Sequence, residues 1–368
     1  MLCSDYAQMA AGQVLSGHSE DALAWADKAL AAAEQLGGQP EVRLRALDAR
    51  GMARCDLGDL GALDDLREAL ELGLSLGAGH DTAVVYNNLV EPLWVAEGPA
   101  KAVATVHDGI EFSGRRGLAE AITWLQTTSL GPLADLGRWD ELLGLAEEVI
   151  ARDRADGGRY VGVWAQVQKA YVLGCRGQLA GARALMDEFV PGARKIDDLQ
   201  VLVPALATAA LIQQASGDQR AVTRLVAELR TATDRGGGHW YRAQQLADLA
   251  RLCVAAGEAA LAGELVAETR AVPARHQLAA LSAHAVLAEA SGDLDGATGR
   301  YEQAASGWAA YGHVLEQGQA LLGAARCLLR LDRPDAPAKL RAARDIFTGL
   351  GAHPLATETD TWLVDATA

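Results

Sequence analysis

Five cysteines and eight histidines are the chain's stock of thiol nucleophiles and imidazole ligands, and neither set is arranged for catalysis or metal binding. Cys3, Cys55, Cys175, Cys253 and Cys327 are dispersed with no C-x-x-C pair, so they read as buried thiols of a reducing compartment. His276 and His284 lie about two helical turns apart, too far to share a metal without further ligands. The H-E-x-x-H signature and the phosphate-cradling G-x-x-x-x-G-K-[ST] loop are both absent. Gly292-Asp293-Leu294-Asp295-Gly296 has the outline of a calcium loop but lacks its third acidic position and its closing glutamate. The expectation is a non-enzymatic chain with no catalytic residues, no cofactor and no metal.

What remains is recognition chemistry. Trp124 and Trp164 occupy equivalent places, each the same distance ahead of a turn glycine, and are expected to be neighbours. Asn88 and Thr127 share a second equivalent place, with Gln168 nearby and Tyr171 a turn further on. Indole area supplies affinity and amide or hydroxyl groups supply register. Asn88, Trp124, Thr127, Trp164, Gln168 and Tyr171 are therefore the candidate peptide- or partner-binding residues of a concave face. The competing reading wedges both tryptophans between helices as core. A second alternative is a small-molecule-sensing or catalytic pocket inside the superhelix, which convergence of Arg45, Asp48, Arg251, Glu289 and Arg326 would support; a third is a free-standing adaptor.

Equivalent places exist because the chain repeats. Around Gly137 an apolar helical pattern runs into glycine and a second begins within four residues, Asp140 being the expected cap of the next helix. The same unit returns at Gly17, Gly58, Gly98, Gly177, Gly217, Gly257 and Gly292, with Asp332 in the ninth place; the steps are about 40 residues, except for a shorter one before Gly292. A period of this size marks supersecondary units that bury their apolar faces only by stacking. The predicted fold is all-α, a right-handed superhelical α-solenoid of about nine helix-turn-helix repeats. One domain, residues 1–368, is expected, with a candidate hinge at 235–239, where three glycines adjoin, and a C-terminal capping helix over about 354–366. Pro92 and Pro132 stand at the same repeat position and predict either a shared kink or two shortened helices.

Half of the residues are hydrophobic and 5% aromatic, so alanine and leucine carry the packing. The formal net charge of −15, without a Lys/Arg cluster, argues against direct nucleic-acid binding and would steer basic partners. The opening residues lack a charged n-region followed by an apolar run, and no stretch approaches the roughly 20 apolar residues that span a bilayer. A cytoplasmic protein with a protein or peptide partner and no membrane is expected.

The turns resemble those of the tetratricopeptide family, whose repeat carries Gly-Asp followed by alanine: Gly58-Asp59, Gly217-Asp218 and Gly292-Asp293 supply the dipeptide, and Ala22, Ala182, Ala262 and Ala297 the alanine. The period departs from the family's, about 40 residues against about 34, implying longer helices. Residues 45–54, Tyr86-Asn87-Asn88-Leu89, Gly109-Ile110-Glu111-Phe112 and residues 340–352 are similar to the C-terminal tetratricopeptide tails of large bacterial signalling proteins. In those, a class III adenylate or guanylate cyclase domain, or a LuxR-type DNA-binding domain, accompanies an ATPase module. That resemblance implies an interaction and regulatory scaffold beside a linked ATPase or cyclase domain, and carries over no catalytic residue.

Overall fold

The structure is a computed structural model and describes residues 2–59, 61–155, 157, 160–234 and 238–366. Among them every regular element is a helix. The order is α1 (Leu2–Leu15), α2 (Ser19–Gln35), α3 (Pro40–Asp56), α4 (Ala62–Leu76), α5 (Gly79–Glu97), α6 (Pro99–Gly114), α7 (Ala119–Thr128), α8 (Leu130–Asp135), α9 (Trp139–Ala155) and α10 (Tyr160–Cys175). It continues with α11 (Leu179–Ile196), α12 (Leu199–Ala215), α13 (Gln219–Thr233), α14 (Gly238–Ala255), α15 (Ala259–Glu268), α16 (Ala274–Ser291), α17 (Leu294–Tyr311), α18 (Val314–Arg330), α19 (Ala336–Leu350) and α20 (His353–Asp365). Taking α7 and α8 together as one first helix, these are nine antiparallel pairs followed by α20, an all-α solenoid of helix pairs. Most consecutive helices, from α1 and α2 to α19 and α20, pack side by side, as short connections require.

The turns explain the repeat. Gly17, Gly58, Gly98, Gly137, Gly177, Gly217, Gly257 and Gly292 all adopt positive φ, and Asp332 does so too, at 53°. A left-handed residue ends each first helix and lets the chain reverse; glycine takes that conformation without a Cβ clash, and aspartate is among the few side chains that tolerate it. Asp140 does not cap α9: Arg138 accepts the first helical bond, and Asp140, one residue inside the helix, pairs with Arg176 at 2.7 Å. A carboxylate that finds a guanidinium on the neighbouring repeat gains a charge-assisted bond there, so the cap is left to backbone. Asp293 does cap α17, its carboxylate accepting from the Gly296 amide at 3.0 Å. Of the two acidic residues that outline a calcium loop, Asp293 thus serves as the cap, while Asp295 pairs with Arg333 at 3.5 Å.

The two equivalent prolines behave differently. Pro92 lies inside the unbroken α5, whereas the helix ahead of Pro132 is interrupted at Ser129, so that Pro132 falls in the first turn of the short α8, where its missing N–H is tolerated. Between them Gly131 receives the indole of Trp94: a Cβ there would stand 2.6 Å from the ring. Gly131→Ala, ordinarily favourable in a helix, is thus expected to destabilise by about 1–3 kcal/mol in urea unfolding, because the buried indole must shift.

Two compact units organise the chain, Met1–Pro132 with Asp234–Trp240, and Leu133–Thr233 with Tyr241–Ala368. Of the candidate hinge, Arg235, Gly236 and Gly237 lie outside the described residues; Gly238 and His239 open α14. In the first unit the core is layered between helices: Leu44 and Leu47 of α3, Leu63 and Leu66 of α4, and Val85 and Leu89 of α5. Ala22, Ala26, Ala29 and Ala33 of α2 are all buried, and small side chains let neighbouring helices approach closely. In the second unit one continuous core runs from Val167 to Cys327. This unit also closes on itself. Arg176, just after α10, donates to the Leu350 carbonyl at the end of α19, Gly137 lies against Leu350 and Val314, and Gly177 against Pro354 of α20. The last helix therefore packs on α10 as well as on α19.

Candidate functional site

The first helices of the first unit, α3, α5 and α7, carry a row of polar and aromatic side chains that meet from one repeat to the next. Arg45 donates to Asp81 at 2.8 Å. Asn88 offers its amide to both oxygens of Asp48 at 3.1 Å. Thr128 donates to the Asn87 side-chain oxygen at 2.9 Å, and the rings of His80 and Trp124 meet edge to face with centroids 6.4 Å apart. The repeat dictates these contacts, since residues about 40 apart in sequence stand at one height on adjacent first helices. Asp48, Asn87, Asn88, Trp124 and Thr128 are half-buried, while Arg45 and His80 are exposed. The row thus leaves side chains bearing indole, amide, hydroxyl and carboxylate groups partly open to solvent.

Asp48 stands out electrostatically. Desolvation, with a smaller contribution from Asp81 and against the Asn88 hydrogen bond, pushes its carboxyl up to about 7. The neighbouring guanidiniums are spent: Arg45 on Asp81, Arg50 on Asp65 and Asp27, Arg54 on Asp65 and Asp59. No cation among the described residues pairs with Asp48.

The second unit differs. Its polar groups turn inward into a closed network. Asp135, at the end of α8, accepts from Arg275 Nε at 3.1 Å on Oδ2 and from Nη2 at 3.3 Å on Oδ1, and His313 Nε2 lies 3.0 Å from the same Oδ1. Arg275 also donates to the Gln244 carbonyl at 2.9 Å. Arg251 donates to Asp248 at 2.7 Å and to Glu316 at 3.2 Å. Asp135, Arg275, His313 and Glu316 are buried. Burial works against the Arg275 charge, yet Asp135, Tyr311 and Glu316 together outweigh it and raise the guanidinium's pKa; Glu316 and Asp248 do the same for Arg251. Burial lowers the pKa of His313, aided by Arg275 and opposed by Asp135, Glu316 and Asp248. Four helices, α8, α14, α16 and α18, are tied by these bonds, which makes the network a structural closure.

Asn88, Trp124 and Thr127 belong to the first unit, and Trp164, Gln168 and Tyr171 to α10 of the second. Asn88 and Trp124 join the polar row. Thr127 is buried, its hydroxyl donating to the Thr123 carbonyl of its own helix at 2.7 Å. Trp164 is half-buried and packs against the core of the second unit. Gln168 is buried, and Tyr171 shares the surroundings of the inward network: burial raises its hydroxyl well above the ordinary value, with Cys175, Asp248, Glu316 and Asp135 adding to the effect. Cys175 is pushed up to about 12, first by burial and then by Asp248, so it remains a protonated thiol. Arg251, Glu289 and Arg326 are held in ion pairs, Glu289 taking both Arg326, at 3.0 Å, and the Tyr301 hydroxyl, at 2.7 Å. His276 is buried and His284 exposed on α16, and no group of three His, Cys, Asp or Glu among the described residues is spaced to hold a metal. No described helix is long and apolar enough to cross a membrane.

Sequence reasoning missed Asp135, Arg275 and His313. Each sits alone in its own repeat, and only the closure of the second unit brings α8, α16 and the start of α18 together.

No family model matches the chain, and no curated protein does. Solved structures do. A Rap protein crystallised in complex with competence and sporulation factor is similar over 95% of this chain and 98% of its own, at 12% identity and a TM-score of 0.64. A circular tandem repeat protein aligns over 100% of this chain and 94% of its own at 14% identity, with a TM-score of 0.21, too low to weigh. At such identities the Rap likeness speaks to fold alone, and the fold is that of a tetratricopeptide-like helical-repeat solenoid.

Proposed function

We propose that this chain is a non-enzymatic scaffold that holds a protein or peptide partner on the first-helix face of its first unit. The observation that carries the reading is the row from the exposed Arg45 and the half-buried Asp48 through Asn87 and Asn88 to Trp124 and Thr128, side chains already positioned by contacts between repeats. Pre-positioned polar groups beside an accessible indole lose little side-chain freedom on binding, which is what makes a recognition surface efficient. A solved relative in fold, the Rap protein, holds a bound factor. The scaffold serves as the interaction portion of a cytoplasmic bacterial signalling ATPase, cyclase or transcriptional regulator. Open reading frame sequence on either side of the chain tests that last part: a cyclase or ATPase domain in frame supports it, and its absence reduces the reading to a free-standing adaptor.

A peptide-array screen of the purified chain tests the face itself. Trp124→Ala is expected to weaken captured peptides by about tenfold or more, the effect of removing an aromatic anchor, with helicity and melting temperature close to wild type. Trp164→Ala is expected to behave oppositely, lowering the melting temperature of the second unit because its indole packs against core. Equal loss of binding in both folded variants would overturn the assignment to the first unit.

A further inference from the structure

Charge is distributed unevenly along the chain. Residues 1–132 contain nineteen acidic against nine basic side chains, ten of the fifteen net negative charges in little more than a third of the length. On the first helices of that unit every arginine is committed: Arg43 to Glu68, Arg45 to Asp81, Arg50 to Asp65 and Asp27, Arg54 to Asp65 and Asp59. Asp48 is left at the α3 end of the row, half-buried, with a neutral amide as its partner. Removing a carboxylate from water without a counter-charge is unfavourable, and a ligand cation relieves that cost as it binds. Two first helices further along, on α7, lies the half-exposed indole of Trp124, a surface for apolar or cationic groups.

We propose that the occupant of this face is a basic segment of a partner protein, an extended or helical peptide that seats a lysine or arginine side chain on Asp48 and, further along the segment, an apolar side chain against Trp124. The inference rests on the reading of this face as the partner site and names the chemistry of the partner. The acidic field of the unit draws the segment in and makes association faster at low salt. Asp48 supplies the local selection, since an arginine pairs with both carboxylate oxygens while an acidic or neutral side chain leaves the carboxylate uncompensated. The groups that face Asp48 set its titration: Asn88 and Asp81 on α5, with Arg45 one turn away on α3 held by Asp81. Because burial holds its pKa near 7, a cation captured there must ionise it. Binding is therefore expected to release protons near neutral pH and to weaken as pH falls below 7.

The test uses the full chain and fluorescein-labelled dodecapeptide libraries, randomised except for one central residue fixed as arginine, citrulline or glutamate. Citrulline keeps the shape of arginine without its charge. Fluorescence anisotropy is read at pH 6 and pH 8 and at two salt concentrations. The expected result is binding of the arginine library about tenfold or more tighter than citrulline, and glutamate weakest, with the margin shrinking at pH 6 and in Asp48→Asn. Asp48→Asn keeps size and hydrogen bonding, and circular dichroism confirms its fold; the arginine-to-citrulline comparison needs no variant at all. Equal binding of the three libraries at low salt overturns the basic-segment inference while leaving the interaction face standing. Absence of binding by every library overturns both. A charge preference that survives intact in folded Asp48→Asn places the basic contact elsewhere and overturns the assignment to Asp48.

Discussion

Asp135→Ala is expected to destabilise the second unit by about 3–5 kcal/mol, the loss that follows when one partner of a buried ion pair is removed. The variant leaves Arg275 buried without this carboxylate and removes the acceptor of the His313 imidazole at the same stroke. Guanidinium denaturation of the isolated substitution measures the loss. The double variant Asp135→Ala, Arg275→Met separates charge from packing. If the penalty comes from the uncompensated guanidinium, the double variant recovers much of the stability, since an apolar chain of similar length does not need a counter-charge. If it stays as unstable as the single variant, the bonds themselves and not the stranded charge hold the helices together. The same experiment reads out the closure: loss of Asp135 is expected to speed hydrogen exchange first at the start of α16 and α18, where its partners are anchored.

Asp48→Asn is the second large effect, and its sign depends on pH. Below about pH 4 the carboxyl is protonated in both the folded and the unfolded chain and contributes no difference. Between about pH 4 and pH 7 the unfolded chain ionises while the folded one keeps its proton, because burial has raised the folded value to about 7. Stability is thus lost as pH rises through this window and the loss is complete above 7. The half-exposed position discounts the full shift, so the wild type is expected to lose about 3 kcal/mol relative to Asp48→Asn between pH 4 and pH 8. Thermal or urea unfolding of the pair across that range checks it. Parallel curves would mean that Asp48 titrates as an ordinary surface carboxylate. A site that gives up stability at the pH where its charge is useful fits a recognition surface better than a structural one.

The architecture was legible because turn chemistry is local. A residue with positive φ has to end each first helix, glycine is the side chain that does so freely, and the spacing of those glycines is the length of the repeat. The alanine positions of α2 were legible for a similar reason: the buried face of a helix follows its own 3.6-residue period. From this, a helix-pair solenoid without strands can be read from one sequence. Arg45, Asp48 and Asn88 were also within reach, since equal positions on neighbouring repeats must adjoin.

Other features lay beyond reach because they depend on which repeats meet at a distance. The excess of negative charge in residues 1–132 does not by itself mark a division into two units. That division places Trp124 and Trp164, alike in register, in separate bodies, one beside His80 and the other against core. Whether Asp140 caps or pairs was settled by a guanidinium 36 residues away. Asp135 is 140 residues from Arg275 and further still from His313, and the three carry no motif. Local backbone preferences and helical periodicity act over a few residues and are written into the sequence, so they determined that the chain stacks helix pairs. Electrostatics and burial act over whatever the fold brings together, and only the tertiary structure decided that one unit keeps its polar side chains on an accessible row while the other spends them on closing itself.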